Sequence, residues 1–418
     1  MHELIDIANK RQEAIHAWLD EREAGLELPL YASVDIRDAG FKVATVDMNL
    51  FPAGFNNLCE HGVEDAVIAM GRELQVRVPG CRQILIIAEE HTRNTWYLDN
   101  IRVLQNIIRT AGYEAMVATF LEVQPAFCEK VKFVELETAT GETVRLYCMQ
   151  QILKEFHAGK RQIDMIIMNN DLTSGIPKSL RDEKIPIYPS IHMGWHSRLK
   201  SHHFQHASDL ITEFADMIDV DPWQLQCMDA VVDDININDE DDRNRLQGAA
   251  SDLFSAVGDK YREHEIDEKP FIFLKADSGT YGMGVKAIED PAEIPGLGRR
   301  ARNSLYKGKS SRVISRFLLQ EGVPTISTYG DQVAEACLYT LANDVVGGFY
   351  RLHGEKNSRE SLNSRGMSFQ AICPHLSKYG VCGVHTENNI FDVYRIIARI
   401  AGIAAHREMV QLERQSVE

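Results

Sequence analysis

A glycine-rich segment in the second half of the sequence has the composition of a phosphate-binding hairpin. Residues 271–288 contain an apolar strand, a turn with three glycines and a second strand, and Lys275 lies in the first strand. Glycines let backbone N–H groups approach phosphate oxygens closely, and a nearby lysine adds charge-assisted hydrogen bonds. The segment therefore predicts a nucleotide site, although a plain β-hairpin with a glycine-rich turn remains the simpler alternative. The residues assigned to this site are Lys275, Ser278, Gly279, Thr280, Tyr281, Gly282 and Gly284.

The surroundings of these glycines exclude two common nucleotide motifs. A Walker A loop needs Gly-Lys-Ser/Thr at the start of a helix, but here Gly284 is followed by Val285. A Rossmann fingerprint needs GxGxxG before a helix, whereas this segment reads GxxGxG before a strand. A lysine-bearing hairpin is therefore a different kind of phosphate site.

Two acidic positions after the hairpin suit the rest of a nucleotide complex. Gln320 and Glu321 end a predicted strand and offer polar groups for an adenine and ribose edge. Glu335 lies among apolar residues on a later strand, where a carboxylate needs a partner. A divalent cation is one such partner and Lys286 is the simpler one, so both interpretations stay open.

A polar stretch after residue 347 offers further groups for phosphate and metal. Arg351 and Arg365 suit a transferring phosphoryl group, and Glu355 and Asn363 carry oxygens of the kind that Mg²⁺ prefers. We therefore predict catalytic roles for Lys275, Arg351 and Arg365, and Mg²⁺ ligands in Glu335, Glu355 and Asn363.

The segment 47–57 is the first candidate for binding a small substrate. It places Asp47, Asn49, Asn56 and Asn57 around a Pro–Gly turn, and such side chains suit an amino acid's ammonium and carboxylate. Asn and Asp also favour turns for local reasons, so a well-capped turn is an equal alternative. Upstream, the charged residues of the segment 35–37 require no more than a surface contact.

Two polar loops follow predicted strands of an α/β layer. Arg93 comes after the apolar run 84–88, while Asn169, Asn170 and Ser174 come after the run 163–168. In open α/β sheets, ligands bind at the carboxyl ends of the strands. We therefore expect both loops on the substrate side, with Arg93 placed to clamp a carboxylate.

The segment 192–206 is rich in histidine and suggests zinc. His192 and His196 are four residues apart, but the glutamate of HExxH is missing and Gly194 argues against a helix. A basic loop that faces nucleotide or substrate is the preferred interpretation. The residues assigned to it are His192, Trp195, His196 and Arg198.

Periodicity indicates the elements that must position these groups. A strand–helix–strand pattern over residues 83–120 predicts a parallel α/β layer, and closely spaced strands follow Pro270. A long helix is expected over residues 390–412. The predicted fold is α/β and α+β, with an α/β substrate-side domain over residues 1–205 and a nucleotide-binding domain over residues 206–418.

The overall composition limits the classes of partner. The 418 residues carry a net charge of -16, which repels the phosphate backbone of nucleic acids at long range. Eight scattered cysteines without a CxxC pair suit reduced thiols, and no apolar stretch is long enough to span a bilayer. We expect a cytoplasmic protein with small-molecule partners and neither nucleic-acid nor membrane binding. A homo-oligomer is compatible with the sequence.

At this point the sequence resembles the ATP-grasp superfamily, and more closely the glutamate–cysteine ligase family of iron-oxidising and related proteobacteria. The matching segments are residues 275–284, 47–57, 168–177 and 192–198, which together span much of the chain. The resemblance implies a pre-ATP-grasp-like first domain and an ATP-grasp-like, glutathione-synthetase-like second domain. A glutamate-x-asparagine pair that binds metal in other ATP-grasp enzymes has no clear counterpart, because Glu387-Asn388-Asn389 lies against the final helix.

The resemblance also implies a reaction. ATP and Mg²⁺ would support the formation of γ-glutamylcysteine from L-glutamate and L-cysteine through an acyl phosphate, the first step of glutathione biosynthesis. The alternatives are another ATP-grasp carboxylate–amine ligase, such as glutathione synthetase, and a histidine-rich metallohydrolase built on residues 192–206.

Overall fold

The structure, a computed structural model, describes residues 2–90, 93–120, 133–279, 284–306, 313–373 and 390–417. Its α-helices are α1 His2–Lys10, α2 Gln12–Glu23, α3 Glu60–Arg77, α4 Thr95–Thr110, α5 Met149–His157, α6 Lys178–Arg181, α7 Lys200–Ile218, α8 Glu240–Glu263, α9 Arg299–Tyr306 and α10 Ile390–Val417. Within these ranges no helix is both long and apolar enough to cross a membrane.

The strands form three sheets. They are β1 Ala32–Asp38, β2 Val43–Asn49, β3 Gln83–Ala88, β4 Glu114–Thr119, β5 Phe133–Glu137, β6 Thr143–Cys148, β7 Met165–Asn169, β8 Ile187–Tyr188, β9 Asp229–Val232, β10 Ile272–Ala276, β11 Val285–Ile288, β12 Phe317–Glu321, β13 Thr328–Tyr329, β14 Gln332–Leu341, β15 Asp344–His353 and β16 Ser368–Ile372.

The central sheet is antiparallel and joins the two ends of the chain. Its order is β16-β15-β14-β1-β2, with β13 paired to β14. Side chains of alternate residues in a strand point to the same face. Residues two apart on β1 and β14 can therefore contribute to one polar face, which forms one wall of the candidate site.

A second sheet supplies the predicted α/β layer. Strands β6, β4, β3, β7 and β8 run parallel in that order, and β5 adds an antiparallel edge. The buried faces of β3 and β7 consist of isoleucine, leucine and methionine, as expected for parallel strands covered on both sides. Helices α7 and α10 pack together and share a hydrophobic core with the central and parallel sheets.

The third sheet carries the glycine-rich hairpin. Its order is β11-β10-β12-β9 and every pairing is antiparallel. Helix α8 packs on it through Leu246, Ala250 and Val257, which recur at helical spacing and are buried.

Most predicted elements agree with the structure. Strand β3 begins at residue 83, where the predicted strand–helix–strand pattern begins, the long final helix begins at Ile390 as predicted, and the mixed α/β fold is confirmed. The predicted boundary at residues 205 and 206 falls inside α7, and the central sheet takes strands from both sides of it. The two-domain division therefore stays a prediction.

One expectation about the cysteines needs correction. Cys148 is disulfide-bonded, whereas Cys81, Cys227, Cys337 and Cys373 are free thiols. The acidic run 233–242 leads into α8, because Asp239 caps this helix and residues 240–242 form its first turn. Acidic groups at that position stabilise the positive end of the helix dipole.

Candidate active site

A cleft between the central sheet and the hairpin-bearing sheet collects charged side chains from both halves of the chain. Its floor is the polar face of β1, β2, β14 and β15, and its roof is formed by β10, β11 and the start of α7. The lining residues are Asp35, Arg37, Val46, Asp47, Lys200, Phe273, Lys275, Ala276, Gly279, Val285, Glu335, Arg351, Ser361 and Asn363.

Glu335 is the centre of the floor and is held by two arginines. Arg37 donates to its carboxylate from Nε and Nη2 at 2.9 and 2.8 Å, and Arg351 donates to the other carboxylate oxygen. Burial alone would raise the pKa of Glu335, but Arg37 and Arg351 outweigh burial and hold that pKa below its ordinary value. Glu335 is therefore ionised, and its protein partners are arginines rather than the Lys286 considered above.

Arg351 connects Glu335 to a second carboxylate. Its guanidinium lies 3.3 Å from both oxygens of Asp35, which follows from the register of β1, β14 and β15. Burial would lower the pKa of Arg351, but the two carboxylates raise it well above its ordinary value. Burial together with Glu335 and Asp47 raises the pKa of Asp35, although Arg351 opposes the shift.

Asp47 and Lys200 close one side of the cleft. Asp47 pairs directly with Asp35 across β1 and β2, and its carboxylate accepts a hydrogen bond from Lys200. Burial would raise the pKa of Asp47, but Lys200 and Lys275 outweigh it and lower that pKa. The Lys200 ammonium also lies 4.6 Å from the ring centre of Trp195.

Lys275 projects from β10 into the cleft and is buried. Its Nζ donates to Gln320 Oε1 at 2.5 Å and to the carbonyl oxygen of Val46 at 3.0 Å. Burial lowers the pKa of Lys275 to about 8, although Asp47 opposes the shift. Nε2 of Gln320 is buried and has no hydrogen-bond partner among the described residues. A buried N–H group of this kind is suited to donate a hydrogen bond to an acceptor atom of a bound ligand.

The ends of the glycine-rich turn have the backbone that phosphate binding needs. Gly279 has φ of 147° and Gly284 has φ of 70°, conformations that side chains disfavour, and Ser278 lies beside them. Gly279 lines the cleft directly. Thr280, Tyr281 and Gly282 lie outside the described residues.

The donor set of the cleft fits a hard divalent cation. Asp35, Glu335 and Asn363 present carboxylate and amide oxygens to one space, and such ligands suit Mg²⁺. Burial raises the pKa of Asp35 more than Arg351 lowers it, and a bound cation would favour the ionised carboxylate further. A cation is therefore compatible with this position.

Several predicted residues do not line the cleft. Arg365, Glu355, Arg93 and Ser174 are exposed, and His353 contacts the backbone oxygen of Arg365 and the backbone N–H of Glu355. Glu321 is buried but its carboxylate is occupied by Lys42, by the indole N–H of Trp223 and by the backbone N–H of Met228. An adenine or ribose contact would have to displace one of them.

The polar side chains of the predicted substrate loops are mostly committed to the protein. Asn49 accepts a hydrogen bond from the backbone N–H of Phe51, as expected if the segment 47–57 is a capped turn. Asn169 donates to the Pro52 carbonyl, and Asn170 bonds the backbones of Ala88 and Leu172. Asn56 and Asn57 form a short 3-10 turn, and the Oδ1 atom of Asn56 is buried without a partner among the described residues.

His192 and His196 of the histidine-rich segment do not form a metal site in the structure. His192 is the middle residue of a short 3-10 turn, and Nδ1 of His196 lies 3.1 Å from the Leu172 carbonyl oxygen. Among the described residues, these histidines are not in any group whose ligand atoms converge for a metal. Arg198 is buried, forms an ion pair with Glu408 at 2.9 Å and donates to the Met48 carbonyl. Its role is to support β2 from behind Asp47.

The sequence did not indicate two important residues of the floor. Asp35 and Arg37 were assigned to a surface contact, but Arg37 is almost fully buried and both line the cleft. Charged residues at alternate positions of a strand bounded by apolar ones were the available signal. Phe273 and Ser361 gave no such signal.

A larger cavity of about 560 Å³ lies elsewhere, between α1, α2, α3 and α10. Several of its charged groups form ion pairs with one another, namely Arg395 with Asp392 and Arg72 with Asp344. The residues that line this cavity include neither a lysine nor a glycine-rich turn. We therefore place the catalytic site in the smaller cleft between the central sheet and the hairpin-bearing sheet.

Buried cations and hard oxygen ligands in one cleft of a mixed α/β fold are what an ATP-dependent carboxylate–amine ligase requires. Comparison with known proteins identifies the family. A family model described as "GshA: Glutamate-cysteine ligase" matches residues 6–409, and the chain belongs to that family.

A solved structure agrees with this assignment. The crystal structure of a "putative gamma-glutamylcysteine synthetase" from Methylobacillus flagellatus KT is 33% identical and has a TM-score of 0.84, covering 98% of this chain and 96% of that one. D-alanyl-alanine synthetase A from Vibrio cholerae is 10% identical with a TM-score of 0.35, covering 77% of this chain and 81% of that one. Among curated proteins, none matches the sequence.

Proposed function

We propose that this protein uses ATP and Mg²⁺ to join L-glutamate to L-cysteine, and that the reaction takes place in the cleft between the central sheet and the hairpin-bearing sheet. The observation that carries the proposal is the buried Lys275 beside Gly279, opposite Glu335 and Arg351. Membership of the glutamate–cysteine ligase family supports the choice of substrates.

Lys275 and the backbone around Gly279 and Gly284 would bind the phosphates of ATP. The lysine's described partners are a neutral amide and a carbonyl, so its charge is available for an anion. A charge-assisted hydrogen bond of this kind contributes about 1.5–3 kcal/mol. The unpartnered Nε2 of Gln320 would donate to the same ligand.

Asp35, Glu335 and Asn363 would hold Mg²⁺, which neutralises charge on phosphate oxygens when it is bound. Glu355, predicted from the sequence, is exposed and outside the cleft, so Asp35 takes its place in this proposal. Arg351 would contact the transferring phosphoryl group once a ligand competes for its carboxylates. Arg365 would need to move from its exposed turn to assist.

The amino-acid substrates would bind at the side of the cleft closed by Asp47 and Lys200. Asp47 suits a substrate ammonium and Lys200 suits a substrate carboxylate, and they already neutralise each other. Asn56 is a predicted loop residue whose buried Oδ1 atom has no partner among the described residues, and it would be available to a substrate ammonium.

The reaction needs positioning more than a protein nucleophile. The γ-carboxylate oxygen of glutamate attacks the γ-phosphorus of ATP, and ADP leaves with the bridging electrons. The cysteine amine then attacks the acyl carbon, loses a proton and expels phosphate. The protein would orient the carboxylate and screen charge through Arg351 and Lys275.

We also propose a branch of the family, a cellular location and a class of partner for this protein. The four segments that resemble the ligases of iron-oxidising and related proteobacteria support that branch of the family. ATP, glutamate and cysteine are available together in the cytoplasm, which supports a cytoplasmic site of action. The acidic net charge supports small-molecule partners rather than nucleic acid. Assembly into a homo-oligomer stays a prediction.

An isotope-transfer experiment tests the proposed acyl phosphate. Glutamate labelled with ¹⁸O in its γ-carboxylate is incubated with ATP, Mg²⁺ and cysteine, and the released phosphate is analysed by mass spectrometry. We expect one ¹⁸O atom in each phosphate formed. Unlabelled phosphate together with peptide formation would exclude transfer through the γ-carboxylate.

A further inference from the structure

Two cysteines and a histidine converge away from the cleft, where α3 begins and β16 ends. Cys59 is the N-cap of α3, His61 lies in its first turn, and Cys373 follows β16 directly. The sulfur of Cys373 lies 3.8 Å from Nδ1 of His61, although the two residues are 312 positions apart. All three ligand atoms lie within 4.8 Å of one another.

These distances are close to those of a tetrahedral zinc site. With Zn–S of about 2.3 Å and Zn–N of about 2.0–2.1 Å, tetrahedral angles separate sulfur and nitrogen by about 3.6 Å and two sulfurs by about 3.8 Å. The observed separation of Cys373 and His61 is 3.8 Å. The largest contraction needed is therefore about 1 Å, which a side-chain rotation supplies.

The backbone at the start of α3 holds the Cys59 sulfur in place. The Cys59 sulfur accepts a hydrogen bond from the Gly62 N–H at 3.4 Å, at the positive end of an 18-residue helix. Such an N–H···S bond can persist when the thiolate binds a metal and orient it from outside the ligand set. Cys373 is buried, while Cys59 and His61 are half-buried, so an ion has a route of entry.

Close packing holds the two elements in place. A Cβ atom on Gly62 would lie 2.8 Å from the backbone oxygen of Val346, so the start of α3 is seated directly on β15. Strand β15 in turn pairs with β16, whose last residue, Ile372, precedes Cys373. The three ligands therefore belong to one packed unit rather than to separate loops.

We propose that Cys59, His61 and Cys373 bind Zn²⁺ through two thiolates and one imidazole, with the fourth position left to water or an external ligand. Two thiolates and an imidazole select zinc over Mg²⁺, so this site is chemically distinct from the oxygen ligands of the cleft. The metal would cross-link the start of α3, which follows the Asn56–Asn57 turn, to the end of β16.

Cobalt substitution tests the site in the full-length protein. Reduced, chelator-treated protein is titrated with Co²⁺, which gives a sulfur-to-metal charge-transfer band and strong visible bands when bound tetrahedrally by thiolates. We expect these bands to saturate at one Co²⁺ per chain and to disappear when Zn²⁺ is added. Cys59→Ser and Cys373→Ser should each weaken the bands strongly, and His61→Gln should weaken Co²⁺ affinity at least tenfold.

Cys81→Ala provides the matched control, because Cys81 is a buried free thiol outside this group. It should retain the spectrum of the wild type. No thiolate band in the wild type would overturn the proposal, and so would bands that persist in both cysteine variants. Circular dichroism establishes that each variant is folded, and His61→Gln keeps the test valid if a cysteine variant fails to fold.

Discussion

The Nζ atom of Lys275 lies 2.5 Å from Oε1 of Gln320, a neutral side chain on the adjacent strand β12. Among the described residues, Lys275 has no ion pair with a carboxylate, although it is buried. Arg37, Arg351 and Lys200, by contrast, each form an ion pair with an acidic residue of the cleft. Lys275 is therefore the cation of the cleft that is best prepared for a phosphate.

The pKa of Lys275 predicts a pH dependence. Burial lowers that pKa to about 8, so in the free enzyme the ammonium loses its charge as pH rises through this value. We expect kcat/KM for ATP to fall above pH of about 8 and to approach a tenfold loss per pH unit. Steady-state rates from pH 6.5 to 9.5 measure this.

Lys275→Arg is the control for that pH profile. Arginine stays protonated throughout the range, so the variant should be slower but lack the alkaline decrease. If wild type and variant lose activity in parallel above pH 8, another group governs the profile.

Replacement of Glu335 should strongly reduce both the stability and the activity of the protein. Glu335→Gln leaves Arg37 and Arg351 without their shared carboxylate, and breaking a buried ion pair by removing one partner costs about 3–5 kcal/mol. We expect a lower free energy of unfolding and a large loss of kcat. Urea unfolding and steady-state rates provide the two measurements.

Glu355→Gln tests the one predicted metal ligand that lies outside the cleft. Glu355 is exposed and outside the cleft, so this variant should keep wild-type stability and an unchanged Mg²⁺ concentration for half-maximal rate. A raised Mg²⁺ requirement in Glu355→Gln would restore the ligand role predicted from the sequence.

The buried ion pair of Arg198 with Glu408 should stabilise the folded protein and so hold β2 in place beside the cleft. Both side chains are almost fully buried, and Arg198 also donates to the Met48 carbonyl beside Asp47. Glu408→Gln should reduce the free energy of unfolding by about 3–5 kcal/mol.

An exposed pair provides the comparison for Glu408. Asp259→Asn removes the carboxylate partner of Arg262 at the surface, and exposed pairs typically contribute no more than about 1 kcal/mol. Urea unfolding that gives equal losses for Glu408→Gln and Asp259→Asn would contradict the structural role of Arg198.

The predictions from the sequence were most accurate where a single residue pattern determines both the local structure and the chemistry of a segment. The hairpin around Lys275 follows from its glycines and apolar strands, and the parallel layer follows from runs such as that in β3. Helix α3 was missed because its apolar residues do not form a single clear stripe along the sequence.

The floor of the cleft was less predictable because strand pairing between distant segments creates it. β1 pairs with β14 some 300 residues away, and only this register sets Arg37 against Glu335. Local sequence could show that Glu335 needs a partner but not which one. The same reason explains why Cys59 and Cys373 did not appear as a pair.

The most direct test is phosphate release from ATP and Mg²⁺ in the presence of glutamate, with and without cysteine. It compares the wild type with Lys275→Ala and with Lys286→Ala, a lysine of β11 that bonds Glu293 outside the cleft. We expect release that needs both amino acids in the wild type and Lys286→Ala, and a loss of about 10- to 100-fold in Lys275→Ala. Full activity in Lys275→Ala, or no release with glutamate and cysteine, would contradict the account.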